Sequence, residues 1–224
     1  MRFDIITCAP KLLHNLFQYG IIKRTLDKGI AKLFIHNLHD YGIGKYKKID
    51  DKPYGTQAGM VLMVAPIVNC IEKLQGERTY DHMIALTPEG QLLTQPIANQ
   101  LSLKKNILLL CGHYKGIDER IYDLFPIEKI SIGEYILPGG ELPAAILAQS
   151  ILRLLPGAIS DETSALSDSF QDNMISSPVY TRPSSFRQYE VPPVLTSGNH
   201  EKIADWQEKQ SRLRTENYLK KNKK

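Results

Sequence analysis

Two nearly continuous apolar runs and a third strand-like segment, each feeding a loop rich in glycine or proline, constrain this chain most. Met83-Ile84-Ala85-Leu86 leads into Thr87-Pro88-Glu89-Gly90, and Ile107-Leu108-Leu109-Leu110 leads into Cys111-Gly112-His113-Tyr114-Lys115-Gly116. The third segment, Lys129–Ile132, enters the bend within Ser131–Ala144, which carries Gly133, Gly139 and Gly140. A strand apolar at successive rather than alternate positions is buried on both faces, the pattern of a parallel sheet covered by helices. In open sheets of that kind, ligands bind in the crevice beyond the carboxyl ends of the strands. Glycines there let backbone approach a ligand with no Cβ in the way. No Gly-x-Gly-x-x-Gly follows a candidate strand and no glycine-lysine phosphate loop is present, which argues against the usual dinucleotide and triphosphate cradles.

The remaining pattern predicts strands at Arg2–Thr7 and Lys32–His36. Helices are expected from Pro10 to about Tyr19, and at Val64–Leu74, Gln95–Leu103, Ile117–Leu124 and Glu141–Leu155. This alternation implies an α/β fold with a mostly parallel sheet. Pro156-Gly157 stops the last of these helices, and residues 158–178 turn polar and rich in serine and aspartate, as in a linker or a loop that orders on binding. The expected division is a first domain over 1–158, a linker over 159–176 and a small helical domain over 177–224. The final helix would set Ile203, Trp206 and Leu213 on roughly one face. A unit of about 45 residues has a marginal core and should lean on the first domain or on a partner subunit.

Charge and cysteine content narrow the partners. The 28 basic and 24 acidic residues leave a net +4, modest for a nucleic-acid binder. The lysines are clustered, however: Lys45, Lys47 and Lys48 flank Tyr46, and Lys220, Lys221, Lys223 and Lys224 crowd the end. Such runs are solvated faces unless an anionic substrate is present, when they become phosphate contacts. Cys8, Cys70 and Cys111 are odd in number and far apart, which suits reduced thiols and offers neither a disulfide framework nor zinc spacing. His36 and His39, with His82 and His113 elsewhere, read as structural or surface residues rather than metal ligands. No apolar stretch is long enough to cross a bilayer, and a cytoplasmic protein is expected.

Five segments, in order, resemble the bacterial tRNA (guanine-37-N1)-methyltransferases across nearly the whole chain. They are the turn Asp50–Met60, the loop Gly112–Arg120, the bend Ser131–Ala144, the segment Ser164–Phe170 and the stretch Pro192–His200. The resemblance implies a SPOUT-type α/β domain with a deep trefoil knot, a small helical C-terminal domain, and a homodimer whose active site lies between subunits. The knot follows from the resemblance alone, since chains as a rule do not thread loops. It further implies that S-adenosylmethionine occupies the three loops. The residues concerned are Leu86, Thr87, Pro88 and Glu89; Gly112, Tyr114 and Gly116; and Ile132, Gly133, Glu134, Tyr135, Ile136, Leu137, Gly139, Gly140 and Pro143. These are the loops chosen from the apolar runs.

Methylating guanine N1 requires removal of its proton. The resemblance gives Asp168 the role of base and sets Arg153 against the charge that develops on guanine O6. On local grounds Asp168 would otherwise cap or solvate a loop, and Arg153 suits a helix C-terminus. Asp50 and Gly55, with Ser164, Ser197, Gly198, Asn199 and His200, are the RNA-contacting candidates for the tRNA anticodon stem-loop. Asp50 would read the guanine preceding the target, since a carboxylate accepts from guanine N1–H and the exocyclic amine together. Equally good local roles are an Asx turn for Asp50 and a helix N-cap within Ser197–His200. A Mg2+ requirement is implied as well. Many relatives carry glutamate where this chain has Lys115, and glycine and proline where it has Gln57 and Ala58. The alternative functions are a knotted methyltransferase acting at another RNA position and a catalytically silent RNA-binding dimer.

Overall fold

Side chains alternate across a strand, so a strand covered on both faces must supply two apolar sets at once. In the computed structural model, which describes residues 1–55, 58–159 and 168–222, the central strands do this. Along Asn106–Cys111, Ile107, Leu109 and Cys111 enter one core while Leu108 and Leu110 enter the other.

The chain divides into two compact units, residues 1–160 and 161–224. The first runs β1 (Arg2–Thr7), α1 (Pro10–Leu16), α2 (Gly20–Asp27), β2 (Lys32–Asn37), a 3₁₀ turn (Leu38–Tyr41), β3 (Asp50–Asp51), β4 (Val61–Leu62) and α3 (Val64–Glu77). It continues through β5 (His82–Leu92), α4 (Gln95–Ser102), β6 (Asn106–Cys111), α5 (Arg120–Leu124), β7 (Ile127–Ser131) and α6 (Glu141–Leu152). Five strands form a sheet in the order β2-β1-β6-β5-β7, and all of its pairs are parallel. One face is covered by α1, α2, α4 and α6, whose Leu13, Ile22, Leu101, Leu147 and Ile151 join Phe3, Ile5 and Ile84. The other is covered by α3 and α5 through Ile67, Ile71, Leu74 and Ile121.

Several boundaries differ from the sequence expectation for identifiable reasons. Strand β5 does not stop at Leu86. It runs to Leu92, and the pairing with β7 slips between Leu86 and Gln91, so Thr87–Gly90 are thrown out of the ladder as an irregularity within one strand. The first expected helix ends at Leu16, and a second, α2, follows where none was expected. Helix α5 begins at Arg120 rather than Ile117 because Asp118 accepts from the Arg120 N–H at 3.1 Å and its own N–H goes to Leu62. Helix α6 ends at Leu152, three residues early.

Asp4 is wholly buried and is charge-paired. Arg2 grips both carboxylate oxygens at 2.7 and 2.9 Å, His36 lies at 2.7 Å and Arg78 at 4.0 Å. Burial by itself would raise the Asp4 carboxyl, but hydrogen bonds and charge from His36 and Arg2 outweigh it and bring it down to about 2. A depressed folded-state value stabilises the fold above the ordinary carboxylate range, and that stability is lost as pH falls toward 2. Urea unfolding should therefore show a loss of about 2 kcal/mol between pH 5 and pH 2 attributable to this group. Asp4→Asn should cost about 2 kcal/mol at neutral pH, by leaving the half-buried Arg2 guanidinium without its carboxylate partner, and should flatten that acid limb. An unchanged acid limb in Asp4→Asn would assign the pH dependence elsewhere.

In the second unit a two-stranded hairpin, β8 (Ser185–Phe186) with β9 (Tyr189–Glu190), precedes α7 (Pro193–Thr196) and α8 (His200–Lys221). The hairpin was not expected from the sequence. Ile203 and Trp206 are half-buried on α8, whereas Leu213 is exposed. Its place on the inner stripe is taken by Thr215, whose hydroxyl accepts the Ile175 N–H at 2.9 Å. Among the described residues, no helix is long and apolar enough to cross a membrane.

Candidate functional site

At the break in β5 after Leu86, and beyond the carboxyl ends of β6 and β7, three segments wall a cavity of about 460 Å³, within the range of small-molecule sites. It is lined by Leu86, Thr87, Pro88 and Glu89, by Gly112, Tyr114 and Gly116, and by Ile132, Gly133, Tyr135, Ile136, Leu137, Gly139, Gly140 and Pro143. Of the residues singled out for the donor, Glu134 is outside this lining and exposed. His113, Lys115, Ile117, Glu119, Tyr122, Ile130, Ser131 and Pro138 line it as well and were not singled out. Glu119 and Tyr122 straddle the start of α5, and the helical expectation there held no cue that this end meets a cavity.

Backbone contacts hold the loops together. The Gly140 N–H donates to the Gly112 carbonyl at 2.7 Å, and His113 bridges Gly139. A Cβ on Gly140 would lie 2.8 Å from Cys111 Cα and from the Gly112 nitrogen, so the close approach requires glycine. The third loop is braced from within: the Ser131 hydroxyl accepts from the Gly133 N–H at 3.2 Å and donates to its carbonyl at 3.0 Å. On the cavity wall, Glu89 and Glu119 are both engaged by Lys129, at 2.6 and 3.0 Å. The Thr87 hydroxyl is buried and has no protein partner. An unpartnered buried hydroxyl on a ligand-sized cavity suits a bound small molecule, since such a group costs stability unless something bonds to it.

The turn bearing Asp50 is tied to this cavity. Asp50 pairs with Leu62 across β3 and β4, the Leu62 N–H donates to Gly116 at 3.0 Å, and the Lys115 N–H donates to Met60 at 2.9 Å. The Tyr114 phenol is pushed up, by burial first and then by the Asp50 carboxylate and the Cys8 thiol. Asp50 thus acts electrostatically on a cavity residue. Gly55 is exposed with φ +82°, and Gln57 lies outside the described residues.

Arg153 belongs to the first unit and occupies the C-cap of α6. Asp168 belongs to the second, at the head of a turned segment. There the Phe170 N–H donates to Met174 at 2.7 Å, and the Ser169 hydroxyl accepts from the Ser176 N–H at 3.0 Å. The segment is fastened to α8 by Ile175 on Thr215, by Arg214 on the Ser176 carbonyl at 2.8 Å, and by an edge-to-face contact of Phe170 with Tyr218. Ser164 lies outside the described residues, as do Lys223 and Lys224.

Ser197–His200 opens α8. Asn199 Oδ1 accepts from the Lys202 N–H at 3.1 Å, and the Ser197 hydroxyl accepts from the Asn199 N–H at 3.2 Å. The segment therefore serves as a helix cap, the local role open to it from sequence. His36 pairs with Asp4 and His82 with Glu128, in keeping with structural histidines. His113 differs: with Cys8 and Glu141 it forms a group whose ligand atoms all lie within 4.8 Å of one another. Burial, and then the nearby Glu141 carboxylate, push the Cys8 thiol up to about 11. Cys8, His113 and Glu141 are too far apart in sequence for any spacing rule to connect them.

The sequence profile of the family described as tRNA (Guanine-1)-methyltransferase TrmD matches residues 1–222. Among similar proteins, each described as a tRNA (guanine-N(1)-)-methyltransferase, one from Christiangramia forsetii is 53% identical over 215 residues, 96% of this chain and 95% of that one. One from Flavobacterium psychrophilum is 52% identical over 217 residues, 97% and 96% of the two chains. One from Bacteroides thetaiotaomicron is 51% identical over 215 residues, 96% of each. With the match running from end to end at this identity, the chain belongs to the tRNA (Guanine-1)-methyltransferase TrmD family.

Proposed function

We propose that this chain methylates N1 of guanosine 37 in tRNAs with guanosine at position 36, using S-adenosylmethionine held by the three loops. The observation that carries this reading is the backbone-walled cavity at the strand ends in a chain matched over 1–222 by the tRNA methyltransferase profile. When bound, S-adenosylmethionine supplies a sulfonium-activated methyl group. Thr87 offers it an unpartnered hydroxyl, and the glycines admit close backbone contact.

On this reading the Asp168 carboxylate accepts the N1 proton, which frees a lone pair in the plane of the base. Negative charge then spreads onto O6, where the Arg153 guanidinium stabilises it as a fixed cation. Asp50 accepts from the N1–H and exocyclic amine of guanosine 36, a pair of donors that adenine lacks. The second unit is proposed to grip the anticodon stem-loop, with Ser197–His200 meeting backbone phosphates while capping α8. No oxygen cage for Mg2+ appears among the described residues, where the grouped metal-ligating side chains are Cys8, His113 and Glu141. Magnesium prefers oxygen ligands and is commonly held through substrate phosphates, so no step is assigned to a protein-bound magnesium ion.

The deep trefoil knot, the small helical C-terminal domain, a cytoplasmic location and a homodimer with its active site between subunits are part of the same proposal. Leu12 and Leu16 of α1 and Leu142 and Ile146 of α6 remain exposed on two helices in contact with each other, an apolar surface that supports a partner subunit. Labelled methyl donor should modify transcripts carrying G36-G37, with A36-G37 reduced by roughly 10–100-fold and G36-A37 unmodified. Equal labelling of all three transcripts would refute the specificity.

A further inference from the structure

We propose that Cys8, His113 and Glu141 form a binding site for a zinc-type transition-metal ion, set against the loops that wall the cavity. Glu141 is buried, and its Oε1 accepts the Thr7 hydroxyl proton at 2.6 Å, which fixes the carboxylate and leaves Oε2 to face His113. His113 Nδ1 is buried without a hydrogen-bond partner and lies 3.8 Å from that oxygen, too far for a hydrogen bond. Cys8 Sγ completes a trio whose ligand atoms all lie within 4.8 Å of one another. The space in front of them is kept open by a glycine: a Cβ on Gly139 would stand 2.5 Å from His113 Nδ1 and collide with Glu141 Oε2.

The donor set decides the class of ion. One thiolate, one imidazole and one carboxylate suit zinc, whose bonds to sulfur, nitrogen and oxygen of about 2.0–2.3 Å place tetrahedral ligands roughly 3.3–3.7 Å apart. His113 and Glu141 already approach that separation at 3.8 Å, and with all three ligand atoms within 4.8 Å of one another Cys8 has to draw in by no more than about 1 Å. Magnesium and calcium, which take oxygen ligands, are disfavoured by the sulfur and nitrogen. Three protein ligands leave a fourth position for water. Thr7 supplies the outer hydrogen bond that orients the carboxylate, as metal sites commonly require. The ion would pin β1's end to the loop after β6 and to the start of α6. It would therefore act on the cavity through His113, whose neighbours Gly112 and Tyr114 line the wall.

The test is calorimetric titration of Zn2+ into the metal-stripped full chain, with Co2+ absorption as a second probe. One equivalent of Zn2+ should bind, and Co2+ should give a thiolate-to-cobalt charge-transfer band. Cys8→Ser should lose the band and bind Zn2+ roughly 100-fold more weakly. It should keep the methyl-transfer rate measured without zinc and with Mg2+ present, which shows that it is folded. Cys111→Ala should keep both band and affinity. A cobalt spectrum without the band, zinc affinity unchanged in Cys8→Ser, or loss of binding in Cys111→Ala instead would each overturn the proposal.

Discussion

Asp168→Asn is expected to lower the single-turnover methylation rate by roughly 10²–10⁴-fold, the range supplied by a positioned general base. The amide keeps the size of the carboxylate, so the turn following residue 168 should survive. The turn is held by backbone and hydroxyl bonds that the amide leaves in place: Gln171 N–H to the Asp168 carbonyl at 3.4 Å, Phe170 to Met174, Ser176 to Ser169, and Ile175 to Thr215 on α8. What the amide cannot do is take a proton from N1. Affinity for the methyl donor, measured without tRNA, should stay within about twofold, since the donor loops belong to the first unit and Asp168 to the second. Rapid-quench measurement with saturating tRNA separates the chemical step from product release. A full single-turnover rate in Asp168→Asn would remove this residue from the role of base. The companion change, Arg153→Ala, should cost roughly 10²-fold through loss of charge stabilisation at O6.

The sheet was legible because its central strands must satisfy two cores at once. Ile107–Leu110 and Met83–Leu86 have no polar position to mistake for a solvent face, and both lie inside observed strands. The loops after them were legible for a related reason, as glycine or proline ends an apolar run where backbone must turn. The extension of β5 to Leu92 was not readable: Thr87–Gly90 carry turn residues, and only pairing with β7 on the far side restores the strand. The α5 start was misread because Ile117 continues the apolar pattern, while its backbone bridges Leu62, a partner far away in sequence. Leu213 fits the helical spacing of Ile203 and Trp206, yet a polar residue, Thr215, holds the inner position by accepting a loop N–H. Long-range hydrogen bonds are invisible to periodicity.

The same limit applies to the site. The lining from Leu86, Gly112 and the 132–140 bend could be chosen from sequence because each segment declares its own loop. His113 stood inside a chosen loop, but its closeness to Cys8 and Glu141 was not readable, since the three come from widely separated parts of the sequence. The capping role of Asn199 was readable locally, and the bonds to Lys202 and Ser197 follow the usual pattern of a helix start. Asp168 and Arg153 fall in different units, and their roles rest on family membership together with the chemistry of guanine N1.

Gly140→Ala should weaken S-adenosylmethionine binding by roughly 100-fold or more, about 2.7 kcal/mol of binding free energy. Gly140 has φ −82°, a conformation alanine adopts without strain, so the effect has to be steric. The new methyl would meet Cys111 Cα and the Gly112 nitrogen at 2.8 Å. These are backbone atoms at the end of β6, a strand held by β1 on one side and β5 on the other, and they cannot swing aside as a side chain would. The segment that gives way is therefore the one carrying Gly140 itself. Its withdrawal breaks the 2.7 Å bond from the Gly140 N–H to Gly112 and opens the wall that Leu137 and Gly139 form. Overpacking of this kind also costs about 1–3 kcal/mol of stability, which thermal unfolding will report alongside donor calorimetry. Gly76→Ala is the control: it lies within α3 with nothing within 4 Å of the added carbon. Alanine there should leave donor affinity unchanged and raise stability by about 0.5–1 kcal/mol. If Gly140→Ala bound the donor within threefold of the native chain while Gly76→Ala behaved as stated, the three loops would not be where the donor sits.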